Sequence, residues 1–106
     1  MKERDIEQYF KKQIEEAGGL CLKFTSPGTA GVPDRVVVIG GRVSFAEFKR
    51  PGRKTTDLQC AVINRMRKCG ASVDIIDSMA AAKEVAERKI DLFGKKGGAA
   101  GESGSA

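Results

Sequence analysis

The sequence predicts a small mixed α/β sandwich in which helices cover one sheet, with the element order αβββαβα. Three observations carry that reading. Apolar residues recur at three- and four-residue steps in segments near both ends and in the middle of the chain, as amphipathic helices require. Short runs rich in Val, Ile and Phe, bounded by Gly and Pro, lie between them and read as strands. Two of those runs are joined by Gly40-Gly41, a preferred two-residue hairpin turn because both positions tolerate positive φ. A chain of 106 residues holds one domain, burying roughly 60–70% of the surface its unfolded form exposes.

Taken in order, Glu3 to Ala17 places Ile6, Tyr9, Phe10, Ile14 and Ala17 on one helical face, and Gly18-Gly19 ends the helix. Leu20 to Phe24 reads as a short strand, followed by the turn-forming loop Ser26 to Gly31. Arg35–Ile39 and Arg42–Lys49 form the hairpin, and Pro51-Gly52 breaks its second strand. Asp57 is suited to cap a helix whose apolar positions are Leu58, Val62, Met66 and Cys69, with Gly70 closing it. Ser72 to Asp77 reads as a strand buried on both faces, and Ser78 caps a last helix running to about Lys89. The domain is expected over residues 1–93. Residues 94–106 are Gly, Ala, Ser and Lys with one Glu, too poor in apolar side chains to order themselves, and read as a flexible tail.

Composition narrows the chemistry. Nineteen Lys and Arg against fourteen Asp and Glu leave a net charge of +5, which makes a polyanion such as nucleic acid the first partner to consider. There is no His, so His-based triads, His-ligated metals and imidazole acid–base catalysis are excluded. Cys21, Cys60 and Cys69 are odd in number and lack zinc-type spacing, and each reads as a small buried apolar residue. With no signal peptide and no long apolar segment, a cytoplasmic setting without membrane association is expected.

The hairpin places charge where apolar residues would be expected. If Gly40 and Gly41 are the loop, Ile39 pairs with Arg42, and counting outward sets Asp34 opposite Glu47. Opposed residues share a face with Cβ atoms about 4.5–5.5 Å apart, and strand alternation adds Lys49 to that face. Val36, Val38, Val43 and Phe45 make up its rest. Two carboxylates about 5 Å apart repel by roughly 3 kcal/mol at an effective dielectric near 20. Lys49 offsets part of this, and a divalent cation held by both carboxylates would reverse it. Oxygen ligands without His or Cys favour Mg²⁺ or Mn²⁺. Pro-Asp before a strand is also a common turn and cap, and Glu-x-Lys on a strand is a common solvated pair, so it is the register that brings them together that points to a site.

Pro33-Asp34, twelve intervening residues, then Glu47-x-Lys49 resembles the signature of the PD-(D/E)xK nuclease superfamily. The wider pattern is Lys23-Phe24-x-Ser26-Pro27-Gly28-x-x-Gly31-x-Pro33-Asp34-Arg35, then Glu47-x-Lys49-x-Pro51-Gly52, then Gln59. It resembles the VRR-NUC family, the virus-type replication and repair nucleases, in its small stand-alone phage and bacterial form. The resemblance implies a restriction-endonuclease-like mixed β-sheet flanked by helices and a Mg²⁺- or Mn²⁺-dependent DNA endonuclease. It implies Asp34 and Glu47 as acidic metal ligands, the main-chain carbonyl of Phe48 as a third, Lys49 as catalytic lysine and Gln59 as a catalytic helix residue near them. Glu7 matches the first-helix glutamate that completes the acidic cluster, while Glu3, four residues earlier on the same helical face, is an alternative. Either glutamate is equally suited to a solvated position complementing the helix dipole.

The same resemblance implies a homodimer, which a small core also favours, and branched DNA such as four-way junctions as substrate. A bacterial or phage-infected cytoplasm is the implied setting. Arg50, Arg53 and Lys54, beside the hairpin end, are the expected DNA contacts. No stacking aromatics stand out, so recognition through backbone and shape is expected. The competing reading is a non-catalytic nucleic-acid-binding module on a nuclease fold, which has little use for opposed carboxylates beside a phosphate backbone.

Overall fold

The computed structural model describes residues 2–91; the tail expected over residues 94–106 lies outside the described residues. The elements are α1 (Glu3–Glu16), β1 (Leu20–Lys23), β2 (Arg35–Ile39), β3 (Arg42–Phe48), α2 (Asp57–Lys68), β4 (Val73–Ile76) and α3 (Met79–Lys89), in the predicted order. The strands form a single sheet ordered β1-β2-β3-β4. The first three are an antiparallel meander, and β4 joins β3 in parallel after the α2 crossover. The hairpin register is the predicted one, with Ile39 opposite Arg42 and Arg35 opposite Ala46. Gly40 and Gly41 have φ of +61° and +80°, the left-handed pair that a two-residue turn needs to match the twist of its strands.

One face of the sheet carries the core. Ile6, Phe10 and Ile14 of α1, fully buried, pack with Ala82, Val85 and Ala86 of α3 over Cys21, Val37, Ala46, Phe48 and Ile76. Phe10 meets Phe48 edge to face with ring centroids 5.5 Å apart, which fixes the end of β3 beneath α1. Strand alternation puts Leu22, Val36, Phe45 and Val73 in one row across the opposite face. α2 covers that face only in part: Leu20, Leu22 and Val43 remain half exposed or more.

Four local expectations are corrected. The residue capping α2 is Thr56, whose hydroxyl accepts the Gln59 amide N–H; Asp57 takes the first helical position. The fully buried residue of α2 is Ile63, while Leu58 is 54% exposed, beside Gly31 of the loop before β2, and Val62 and Met66 line the recess with Phe24 and Phe45. β4 is buried at Val73 and Ile76 but leaves Ile75 exposed, where it lines a cleft with Lys49, Arg53 and Cys60. Of the cysteines only Cys21 is buried, and burial pushes its thiol up to about 11; Cys60 and Cys69 are exposed.

Candidate active site

The hairpin delivers the acidic pair to the end of the sheet where β3 meets the α2 loop. Asp34 stands one residue before the β2 ladder begins. Its main-chain carbonyl accepts the Phe24 amide at 2.9 Å, and its Oδ2 accepts the Phe48 amide, also at 2.9 Å. The carboxylate is thereby tied to the main chain between Glu47 and Lys49. Phe48 is held in turn by its fully buried ring, and Lys49 N–H donates to the Ile76 carbonyl at 2.8 Å. Both strands that present the site are therefore fixed by core packing and ladder bonds.

Glu47 is 1% exposed. Its Oε2 accepts Gln59 Nε2 at 2.8 Å and lies 3.2 Å from Lys49 Nζ. Its Oε1 is buried and has no hydrogen-bond partner. Burial raises the carboxyl above its ordinary value, the neighbouring Asp34 charge raises it further, and Lys49 opposes both without cancelling them. A buried oxygen without a partner is costly in a protein interior and marks a place where a cation would be welcome. The donor set fits a hard divalent ion: carboxylate oxygens, a nearby main-chain carbonyl, and no His or Cys among the residues just described.

Gln59 organises the rest. Lys49 Nζ donates to Gln59 Oε1 at 2.6 Å, and the Thr56 amide donates to the same oxygen at 3.1 Å. Thr56 and Gln59 form a capping box, so the first turn of α2 sets the amide that bridges Glu47 and Lys49. The motif Thr-x-x-Gln is visible in the sequence and would have identified Thr56 as a supporting residue.

Lys49 lies between two shallow clefts. One, of about 340 Å³, is lined by Glu3, Lys49, Arg50, Arg53, Lys54 and Thr56. The other, also about 340 Å³, shares Lys49, Arg53 and Lys54 and adds Thr55, Cys60, Ile75 and Asp77. Arg50, Arg53 and Lys54 thus share a cleft with Lys49. A larger apolar recess of about 490 Å³ lies between Phe24, Phe45 and α2, away from these charges.

The structure does not bring Glu7 to Asp34 and Glu47. Its carboxylate is buried against Arg35 and Lys23, with Oε2 accepting Arg35 Nε at 2.7 Å and Lys23 Nζ at 2.9 Å. Burial alone would raise Glu7, but the hydrogen bonds and charges of Arg35 and Lys23 outweigh it and hold the carboxyl below its ordinary value. The first-helix carboxylate whose field reaches Glu47 is Glu3. Among the described residues no group of three or more Cys, Asp and Glu is arranged to hold a metal ion. Sequence spacing puts Glu3 and Glu7 on one helical face but does not reveal that a buried arginine waits opposite the second.

Comparison with known proteins converges on one family. No family model matches the chain. It is 38% identical over 79 residues to "Putative nuclease p44" of Acyrthosiphon pisum secondary endosymbiont phage 1, a match spanning 74% of this chain and 85% of that protein. A solved structure described as a VRR_NUC domain superposes with a TM-score of 0.72 at 29% identity, covering 80% of this chain and 94% of the other. The chain belongs to the VRR-NUC family. For a VRR-NUC chain the Asp34, Glu47, Lys49 and Gln59 cluster is the natural candidate for the active site. No helix among the described residues is long and apolar enough to cross a membrane.

Proposed function

We propose that this chain is a Mg²⁺- or Mn²⁺-dependent endodeoxyribonuclease that hydrolyses phosphodiester bonds, with branched DNA such as four-way junctions as its preferred substrate. The observation that carries the reading is Glu47: a carboxylate taken out of water, opposite Asp34, with one oxygen lacking any partner. A fold has little reason to keep that arrangement unless a cation completes it.

Asp34, Glu47 and the main-chain carbonyl of Phe48 would hold the ion. When bound, such an ion polarises the phosphodiester and eases deprotonation of water. The chain's own residues supply the remainder. Lys49, fixed by Gln59 and Glu47, brings a positive charge for the oxygens that gain charge as water attacks phosphorus and the sugar oxygen departs. Arg50, Arg53 and Lys54 neutralise flanking phosphates and orient the strand. The apolar residues left open on the sheet, Leu20, Leu22 and Val43, favour pairing with a second copy. A two-fold pair of sites suits symmetric cuts across a branch point.

The test is cleavage of end-labelled four-way junction, flap and linear duplex DNA with Mg²⁺, Mn²⁺ or EDTA, with Glu47→Gln as control. Metal-dependent cutting that disappears in Glu47→Gln is the expected result, and the ranking of substrates names the preferred structure. Binding without cutting under every metal condition would instead favour the non-catalytic module.

A further inference from the structure

We infer that Glu7 is a positioning residue rather than a metal ligand: its ion pair with Arg35 braces α1 against the strand that presents Asp34. This rests on the nuclease reading above and assigns a role within the same site.

Asp34 sits at the very end of the sheet, tied to it by the Phe24 and Phe48 amides. The last β1–β2 pair is Lys23 with Arg35, and the last β2–β3 pair is Arg35 with Ala46. Asp34 lies just beyond both ladders, so besides its own two bonds its placement rests on the residue that ends them. That residue is Arg35, and adjacent strand residues point to opposite faces. While Asp34 turns toward Glu47, the Arg35 side chain passes beneath α1, where it is 5% exposed. There its Nε donates to Glu7 at 2.7 Å and its Nη1 to the Cys21 carbonyl at 2.8 Å. These two bonds fix the guanidinium to the helix and to β1 at once, and so fix the roll of β2 at the residue next to Asp34.

Glu7 cannot turn to a metal without abandoning this arrangement. It would leave a buried guanidinium short of its charge partner, which is strongly unfavourable. Lys23, largely exposed at its tip, shares the same carboxylate oxygen and cannot replace Arg35 beneath the helix. The brace also sets the helix that carries Glu3, one turn earlier, which lines the cleft beside Lys49. One ion pair thus registers the α1 and β2 sides of the site against each other.

The experiment compares wild type with Glu7→Gln, Arg35→Lys and Asp34→Asn in two readouts. The first is the rise in melting temperature on adding Mn²⁺. The second is single-turnover and steady-state cleavage, separating kcat from KM. Glu7→Gln is expected to keep the Mn²⁺-induced rise that Asp34→Asn loses, while its kcat falls roughly 10- to 100-fold with little change in KM, the usual size for residues that orient metal ligands. Arg35→Lys keeps the charge but not the fork geometry, and is expected to show the same pattern more mildly. It also keeps the question answerable if Glu7→Gln does not fold. Loss of the Mn²⁺ response in Glu7→Gln to the level of Asp34→Asn would make Glu7 a ligand and overturn the brace. Unchanged kcat in both pair variants would overturn it as well. A wild type with neither cutting nor a Mn²⁺ response would overturn the nuclease reading beneath it.

Discussion

Lys49 Nζ and Gln59 Oε1 are 2.6 Å apart, and the amide of the same glutamine donates to Glu47 at 2.8 Å. One side chain thus holds both the lysine and the acid of Glu47-x-Lys49, and the capping box of α2 holds that side chain. Gln59→Ala is expected to lower kcat by about 10- to 100-fold with little effect on DNA affinity, because it frees Lys49 and leaves Glu47 Oε2 without a neutral donor. Steady-state cleavage alongside binding of uncut DNA in EDTA checks this. An undiminished kcat would show that Lys49 needs no orienting partner.

The two buried glutamates should give opposite pH signatures. Glu47 is raised above its ordinary value of 4.5, by burial first and Asp34 second. The folded state therefore holds its proton to higher pH than the unfolded chain, and stability falls as pH rises from about 4.5 through the raised value. Glu7 is lowered from the same value because Arg35 and Lys23 outweigh burial, so its stabilisation is present above about 4.5 and lost as pH falls through its depressed value. In EDTA, Glu47→Gln is expected to melt higher than wild type at pH 7, and Glu7→Gln lower. Both differences should narrow toward pH 3.5. Thermal melts across that range decide it, and a destabilised Glu47→Gln at pH 7 would mean that its bonds to Gln59 and Lys49 outweigh the cost of burying its charge.

Much of this was legible in the sequence because hairpin geometry is nearly deterministic. Once Gly40-Gly41 is the turn, the meeting of Asp34 with Glu47 follows from counting, and strand alternation delivers Lys49. What was not legible depends on packing across layers. The burial of Arg35 beneath α1, which draws Glu7 away, is invisible to strand periodicity because a charged residue at an inward position looks like an edge. The burial of Ile63 in place of Leu58 likewise depends on how α2 seats against the rest of the fold, which periodicity alone does not give. Thr56 differs, since its capping box is written in the sequence and Asp57 merely competes as a cap.

The cations beside the site make a salt-dependent prediction. Arg50, Arg53 and Lys54 are exposed and share a cleft with Lys49. If each neutralises one phosphate of duplex DNA, replacing all three with Ala should reduce the slope of log K against log salt by about 2.7, at roughly 0.9 per contact. Fluorescence anisotropy over a series of KCl concentrations, in EDTA to prevent cutting, measures it. A slope equal to that of wild type would leave these residues as solvated surface.

Gly31 is where the loop before Asp34 depends most on glycine. Its φ is +88°, and a Cβ there would lie 3.1 Å from Leu58 Cγ, 3.2 Å from the Leu58 carbonyl oxygen and 3.3 Å from Val62 Cγ2. The loop is therefore seated directly on α2, the helix that carries Gln59. Gly31→Ala combines backbone strain with overpacking and is expected to cost about 1–3 kcal/mol. For a domain of this size that corresponds to a fall in Tm of roughly 4–8 °C per kcal/mol. Because residues 32 to 34 continue from this contact, cutting should also fall at temperatures well below the new Tm. Gly28 is the internal control: a Cβ there meets nothing within 4 Å, so Gly28→Ala should leave Tm within a degree or two. If Gly28→Ala nevertheless weakens DNA binding, a phosphate approaches the loop closely at that point. If Gly31→Ala melts like wild type, the loop yields easily, and Asp34 is held by its bonds to Phe24 and Phe48 alone.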